Sequence, residues 1–175
     1  MIGNFGACLR LTEDYEGGND DYDGFHTSRG ITQADYDAWQ TLHDGVKGDV
    51  YDAPQRIIDS IYLNDYWHPY CDQLAKGLDF MYFDTNVNEG GRKAVLFLQR
   101  ALKIPADGHF GIRTIAACKV ECATPAGTRS LIVAMDAERR AHYEILAKKV
   151  KFRKDLKGWL ERAAKCQAAA LRMVT

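Results

Sequence analysis

Tyr15-Glu16-Gly17-Gly18, followed by an acidic run from Asn19 to Gly24 and then by Thr27-Ser28-Arg29-Gly30-Ile31-Thr32, is the stretch that decides the fold. Ahead of it Phe5, Cys8, Leu9, Thr12 and Tyr15 recur at spacings of three and four, which predicts an amphipathic helix ending at Glu16. Gly17 and Gly18 are the stop signal, because glycine takes the left-handed conformation at a helix C-terminus without a Cβ clash. Beyond the acidic run, Thr32-Gln33-Ala34-Asp35 has the form of a capping box with Asp in place of Glu, and starts a short helix carrying Tyr36 and Trp39.

A carboxylate at a helix C-terminus meets the negative pole of the helix, and shielding from water further favours its neutral, proton-donating form. Glutamate before glycine is also common on plain surfaces, so the neighbours carry the argument. Asp20, Asp21 and Asp23 follow within one loop. A carboxyl that keeps its proton, opposite others that are ionised, is the arrangement that cleaves an acetal.

These residues together resemble the N-terminal signature of the family 108 glycoside hydrolases, lysozyme-like N-acetylmuramidases found in phage endolysins and bacterial secretion-activator proteins. That family usually reads Glu-Gly-Gly-Tyr, then Asp-Pro-Gly-Gly, then Thr-Asn-x-Gly-Ile-Thr. Here Asn19 replaces the tyrosine, Tyr22-Asp23-Gly24-Phe25 lacks the proline, and Ser28 stands where asparagine is usual. The resemblance implies Glu16 as general acid and an ionised loop carboxylate, Asp23 or else Asp21 or Asp20, that stabilises positive charge on the sugar or orients a water. Thr32 or Thr27 would help place that water. The implied reaction is hydrolysis of the peptidoglycan glycan strand at the bond after N-acetylmuramic acid.

Further along, Asp52 with Pro54 predicts the start of a helix whose Ile57, Ile58, Ile61, Tyr62 and Tyr66 share one face, ending near Trp67-His68-Pro69. Trp67 could stack on a sugar ring, although an aromatic at the end of an amphipathic helix is more often core. An apolar stretch from Gly77 reaches Asn86-Val87-Asn88, is interrupted at Gly90-Gly91, and gives way to a helix over about Lys93–Leu102. Pro105-Ala106-Asp107-Gly108 is a turn, and Thr114 is a suitable cap for a helix reaching about Cys122. A long amphipathic helix carries Leu131, Ile132, Met135, Arg139, Tyr143 and Leu146.

The motifs Phe83-Asp84 with Asn86-Val87-Asn88, Leu98-Gln99-Arg100-Ala101-Leu102, Asp107-Gly108-x-Phe110-Gly111-x-x-Thr114 and Lys157-Gly158-Trp159-Leu160-Glu161-Arg162 resemble the predicted peptidoglycan-binding segment that accompanies the same hydrolases. The two parts span nearly the whole chain in the family's order. They imply a catalytic region over 1–84 and a peptidoglycan-binding helical region over 85–175, packed as one globular unit.

The 175 residues are 46% apolar and 27% charged, the composition of a globular domain. No run approaches the length of a membrane helix, and Met1 to Leu11 has no secretory leader pattern. The net charge of −1 conceals an asymmetry: 17 acidic against 5 basic residues through Glu89, and 7 against 18 from Gly90 onward. The basic C-terminal stretch would suit an anionic polymer, a membrane surface or nucleic acid, or be a solvated helix face.

Five cysteines at irregular spacing argue against a disulfide framework. Asn19-x-Asp21-x-Asp23-Gly24 imitates a calcium loop, but Gly30 stands where the bidentate glutamate belongs. Glu138 and His142 share a helix face without the second histidine of a zinc protease, and neither a nucleophilic triad nor a phosphate-binding loop is present.

The expectation is therefore a mainly α, lysozyme-like helical fold with a small β or irregular loop beside Glu16. Thr27, Trp39, Trp67 and Asn88 are the candidate substrate contacts. No cofactor or metal is expected. The partners would be peptidoglycan glycan strands and, through the basic C-terminal helix, anionic envelope polymers, with no nucleic acid, for a monomer held in the host bacterial cytoplasm until holin release. Two rivals share the scaffold: a lytic transglycosylase, and a non-catalytic peptidoglycan-binding or secretion-accessory protein.

Overall fold

The structure, a computed structural model, describes residues 3–16, 19–20, 26–43 and 45–175, and of Glu16, Asn19 and Asp20 the backbone alone. It is mainly α and divides into two compact units, Met1–His68 and Pro69–Thr175.

In the first unit α1 (Phe5–Glu16) buries Phe5, Cys8, Leu9 and Thr12, the face that the three-and-four spacing predicts. Three two-residue strands follow, β1 (Asn19–Asp20), β2 (Thr27–Ser28) and β3 (Ile31–Thr32), paired antiparallel in that order. Thr32 then caps α2 (Gln33–Leu42), its Oγ1 accepting from the Asp35 backbone N–H at 3.2 Å. The second half of the capping box differs from expectation, because the Asp35 carboxylate receives the Thr32 hydroxyl proton at 2.7 Å.

Asp52 does not cap the next helix. Asp49 caps a 3₁₀ turn over Val50–Asp52, and α3 (Gln55–Ile61) begins after Pro54. The chain then widens into a π-helical turn, Tyr62–Trp67, closed by an i→i+5 bond from His68 N–H to the Leu63 carbonyl at 2.9 Å. This turn buries Tyr62 and Trp67 together.

The second unit is organised around α4 (Leu78–Glu89), in which every residue from Leu78 to Asn86 is buried. A helix buried on all sides needs cover on all sides, and its buried polar groups need partners. It packs against α5 (Gly91–Ala101), α7 (Pro125–Ala147) and α8 (Leu156–Met173). Gly77 enters α4 at φ +87°, and a Cβ there would lie 2.4 Å from the Ala170 carbonyl of α8, so only glycine permits this approach.

α6 (Ile112–Glu121) starts after Gly111 rather than at Thr114. Thr114 is instead a buried residue within the first turn, accepting from the Gln99 amide at 3.1 Å. Gln99 is the organiser of the Asp107-Gly108 turn. Its Nε2 donates towards Asp107 Oδ1 at 2.8 Å and the His109 carbonyl at 3.0 Å, and its Oε1 accepts from Gly108 N–H at 2.9 Å. The glutamine and the distant Asp-Gly turn thus form one hydrogen-bonded device.

Candidate active site and its scaffold

The hairpin that follows the acidic run is built from its register. Asn19 pairs with Ser28 and Ser28 with Ile31; Asp20 pairs with Thr27 and Thr27 with Thr32. Directly opposed residues share one face of a sheet. Ser28 and Ile31 are buried at 1% and 0% exposure, so their row is the inner one, while Thr27 and Thr32 are half-buried in the other. The backbone register therefore brings three of the candidate positions, Asp20, Thr27 and Thr32, into one row, two residues of chain beyond the glycines that follow Glu16.

The β2–β3 turn is Arg29-Gly30, with φ +51° and +79°. Both central residues are left-handed, as a two-residue hairpin of type I′ requires. Glycine accepts this freely; arginine does not. Arg29 is held there by its own side chain, which donates from Nη1 to Gln55 Oε1 at 2.7 Å, from Nη2 to the Ala53 carbonyl at 2.7 Å, and from Nε to Ser28 Oγ at 3.3 Å. Its carbonyl accepts from the buried Tyr62 hydroxyl at 2.8 Å. The hairpin is thereby pinned to the Ala53–Gln55 segment and to the π-helical turn. Arg29→Met, which keeps the stem and removes the donors, should lower the unfolding free energy by about 1–3 kcal/mol. Urea denaturation would show the drop; an unchanged midpoint would mean the turn holds without its arginine.

Around this hairpin the charges are ordered. His26 Nε2 lies 2.9 Å from Asp49 Oδ1, and its ring lies 3.8 Å from that of Tyr51. The Tyr51 backbone N–H and then His26 hold the Asp49 carboxyl below its ordinary value. Asp65 is shifted the other way, by partial burial and then by the nearby Asp35, with His43 opposing.

The sequence-derived candidates fare differently. Glu16 is the last residue of α1, as the periodicity predicts, and Asp20 lies in β1. Asp21 and Asp23, like Gly17, Gly18, Tyr22, Gly24 and Phe25, lie outside the described residues. Thr32 is half-buried; its hydroxyl donates to the Asp35 carboxylate and accepts from the Asp35 N–H, which leaves one lone pair able to accept. Trp39 is half-buried, with one face stacked on His43 at 4.1 Å and 15°, and its indole N–H has no acceptor among the described residues. Trp67 needs correction: at 1% exposure and edge-on to Phe5 at 5.4 Å it is a core residue with no ring face for a sugar.

Asn88 belongs to a second constellation that the motif reading did not foresee. In the second unit Asp84, fully buried, accepts from Arg139 Nη1 at 2.7 Å and from Arg162 Nη2 at 2.8 Å. Arg139 Nε donates to the Tyr143 hydroxyl at 2.6 Å, and the Tyr143 hydroxyl donates to Asn88 Oδ1. The Asn88 oxygen is thus engaged from inside the fold. Glu138 and His142 lead to different partners, lying 3.7 Å from Arg100 and 3.3 Å from Glu89. Of the five thiols, Cys8, Cys71, Cys118 and Cys166 are buried and Cys122 is half-buried.

Comparison with known proteins places this scaffold. Residues 9–90 match the family model described as glycosyl hydrolase 108, and residues 93–164 match the one described as a predicted peptidoglycan domain. The solved structure of SagA from Brucella abortus is similar over 99% of this chain and 97% of that one, with a TM-score of 0.81 and 27% sequence identity. No curated protein matches. The hydrolase match runs from within α1 to the end of α4 and so contains Glu16, the hairpin row and Asp84, while the second match takes in Gln99, the Asp107-Gly108 turn, Arg139 and Arg162. The chain therefore joins a glycosyl hydrolase 108 region to a predicted peptidoglycan domain, the make-up of a peptidoglycan-related glycoside hydrolase.

Proposed function

We propose that the protein is an N-acetylmuramidase, hydrolysing the β-1,4 bond between N-acetylmuramic acid and N-acetylglucosamine in peptidoglycan. The observation that carries this reading is the placement of Glu16 as the last residue of α1, directly before a hairpin whose register aligns Asp20, Thr27 and Thr32 in one row. A carboxyl-bearing residue at a helix end, followed in the chain by a polar strand row, is a setting in which one group can give a proton while others order a water.

In this reading Glu16 protonates the leaving glycosidic oxygen. Asp23, or else Asp21 or Asp20, stabilises the positive charge that develops on the sugar or orients the attacking water. Thr32 suits the holding of a water, since its hydroxyl donates to Asp35 and keeps one lone pair to accept from the water. Thr27 lies beside it in the row. The region from residue 85 would supply binding to the glycan strand, and the biological role would be that of an endolysin, held in the host cytoplasm until a holin opens the inner membrane.

Mass spectrometry of the soluble products from purified peptidoglycan tests the chemistry. Disaccharide-peptides with reducing-end N-acetylmuramic acid are expected. Anhydro-muramic ends would replace this reading with a lytic transglycosylase, and an undigested wall that still retains the protein would replace it with a binding protein.

A further inference from the structure

The elbow between α7 and α8 has a surface that the hydrolase reading does not use. Residues 148–157 contain Lys148, Lys149, Lys151, Arg153, Lys154 and Lys157 against Asp155 alone. All six cations are exposed, and Lys157 with Glu161 at 3.9 Å is the one ion pair this segment makes among the described residues. Arg162, also part of the basic C-terminal stretch, is withdrawn from the surface by its bonds to Asp84. The acidic groups of the flanking turns are Glu144 on α7 and Glu161 on α8.

Apolar groups lie among these charges. Val150, in a 3₁₀ turn over Val150–Phe152, is 80% exposed. On α8, Leu156, Leu160 and Ala164 recur every four residues and line a shallow groove of about 520 Å³, edged by Arg153, Lys157 and Glu161. A neighbouring face of α8 is the buried one, with Ala163, Cys166, Ala169 and Ala170. The elbow is also held from beneath. The Phe152 ring lies 5.9 Å from Trp159, and Trp159 lies 5.4 Å from Tyr143, which belongs to the buried Asp84 constellation.

We propose that this elbow is a docking surface for an anionic phospholipid bilayer. Charge complementarity names the sign of the partner, and the apolar groups name its kind. A soluble polyanion would satisfy the lysines and leave Val150 and the leucine stripe in water. An anionic leaflet satisfies both, taking the apolar groups at the headgroup–acyl boundary while the lysine ammonium groups stay at phosphate level. Lys151 already lays its ammonium over the Phe152 ring, 4.4 Å from the centroid. Binding is peripheral, since no helix among the described residues is long and apolar enough to span a membrane.

The test is co-sedimentation of the full-length protein with vesicles of phosphatidylcholine alone and of phosphatidylcholine with 30–40% phosphatidylglycerol, a composition chosen to be roughly that of an anionic leaflet. Wild type should bind the anionic vesicles and not the neutral ones. Each neutralised cation should lower partitioning by about fivefold, so Lys149→Gln/Lys151→Gln/Lys154→Gln should lower it by about a hundredfold. Val150→Asp should weaken binding as well, and Val150→Trp should shift its emission to the blue on anionic vesicles alone. Circular dichroism melts of each variant, unchanged from wild type, exclude misfolding as the cause. Equal binding to both vesicles, binding indifferent to the triple substitution, or binding indifferent to Val150→Asp overturns the proposal. So does failure to bind vesicles by a protein that retains salt-sensitive binding to a soluble polyanion such as heparin, which would assign the elbow to anionic polymers instead.

Discussion

Glu16→Gln should abolish all but about a thousandth of the glycan-cleaving rate while leaving the fold intact. Glutamine is nearly isosteric with glutamic acid and lacks only the transferable proton. A positioned general acid contributes about 10²–10⁴ in rate, and a thousandfold loss corresponds to about 4 kcal/mol of transition-state stabilisation. Glutamine keeps the length, shape and polarity of the side chain, so the urea midpoint should stay close to wild type. Release of soluble fragments from purified peptidoglycan, followed with matched protein concentrations, measures the loss directly. Binding to insoluble wall should survive, since the carboxyl is needed to break the bond and not to hold the strand. A variant that digests at the wild-type rate would remove Glu16 from the mechanism and with it the assignment of the hairpin row as its counterpart.

The legibility of this site in the sequence has a physical origin. α1 announces itself because Phe5, Cys8, Leu9 and Thr12 must all face one core, and a helix allows that at spacings of three and four. Thr32 announces itself because an N-cap needs a particular side chain at one position. Arg29 did not: an arginine in a left-handed turn contradicts local preference and is explained only by Gln55 and Ala53, more than twenty residues away. Trp67 is the converse case. Its place at the end of an amphipathic helix is visible in the sequence, but the π-helical turn that buries it against Phe5 adds a residue to the i→i+4 ladder, and hydrophobic periodicity at 3.6 residues does not register that insertion. Thr114 and Asp52 both have the right side chain for a cap, but the distant Gln99 binds Thr114 inside α6, and the local cap at Asp49 makes Asp52 the end of a 3₁₀ turn before α3 begins.

The Asp84 constellation shows the same limit at larger scale, since Asp84, Arg139 and Arg162 are separated by 55 and 78 residues and look unrelated in the chain. Asp84→Asn should be among the most destabilising substitutions the protein can carry. Arg139 is 0% exposed, and its charge is tolerated there because Asp84 neutralises it. Removing one partner of a buried pair costs about 3–5 kcal/mol, because the remaining charge stays desolvated. Asparagine also turns an amide N–H₂ toward one of the two guanidinium groups, where an acceptor is required. Arg162→Gln should cost less, since Arg162 is 12% exposed at its side chain and Arg139 would still hold the carboxylate.

The pH dependence separates this electrostatic role from mere packing. Burial pushes the Asp84 carboxyl up, but Arg139 and Arg162 outweigh it and hold it below its ordinary value. A folded-state value below the unfolded one, about 3.9, gives stability that is present in full above that pH and is lost as pH falls through the folded value. The gap between wild type and Asp84→Asn should therefore be widest near pH 7 and should narrow as the solution is acidified below about pH 4. Urea denaturation of both proteins at pH 7 and at about pH 3 measures it, and the carboxylates common to both cancel in the difference. A gap that is large but the same at both pH values would make Asp84 a packing residue, and a gap below about 1 kcal/mol at pH 7 would mean that α4, α7 and α8 stay together without their shared charge.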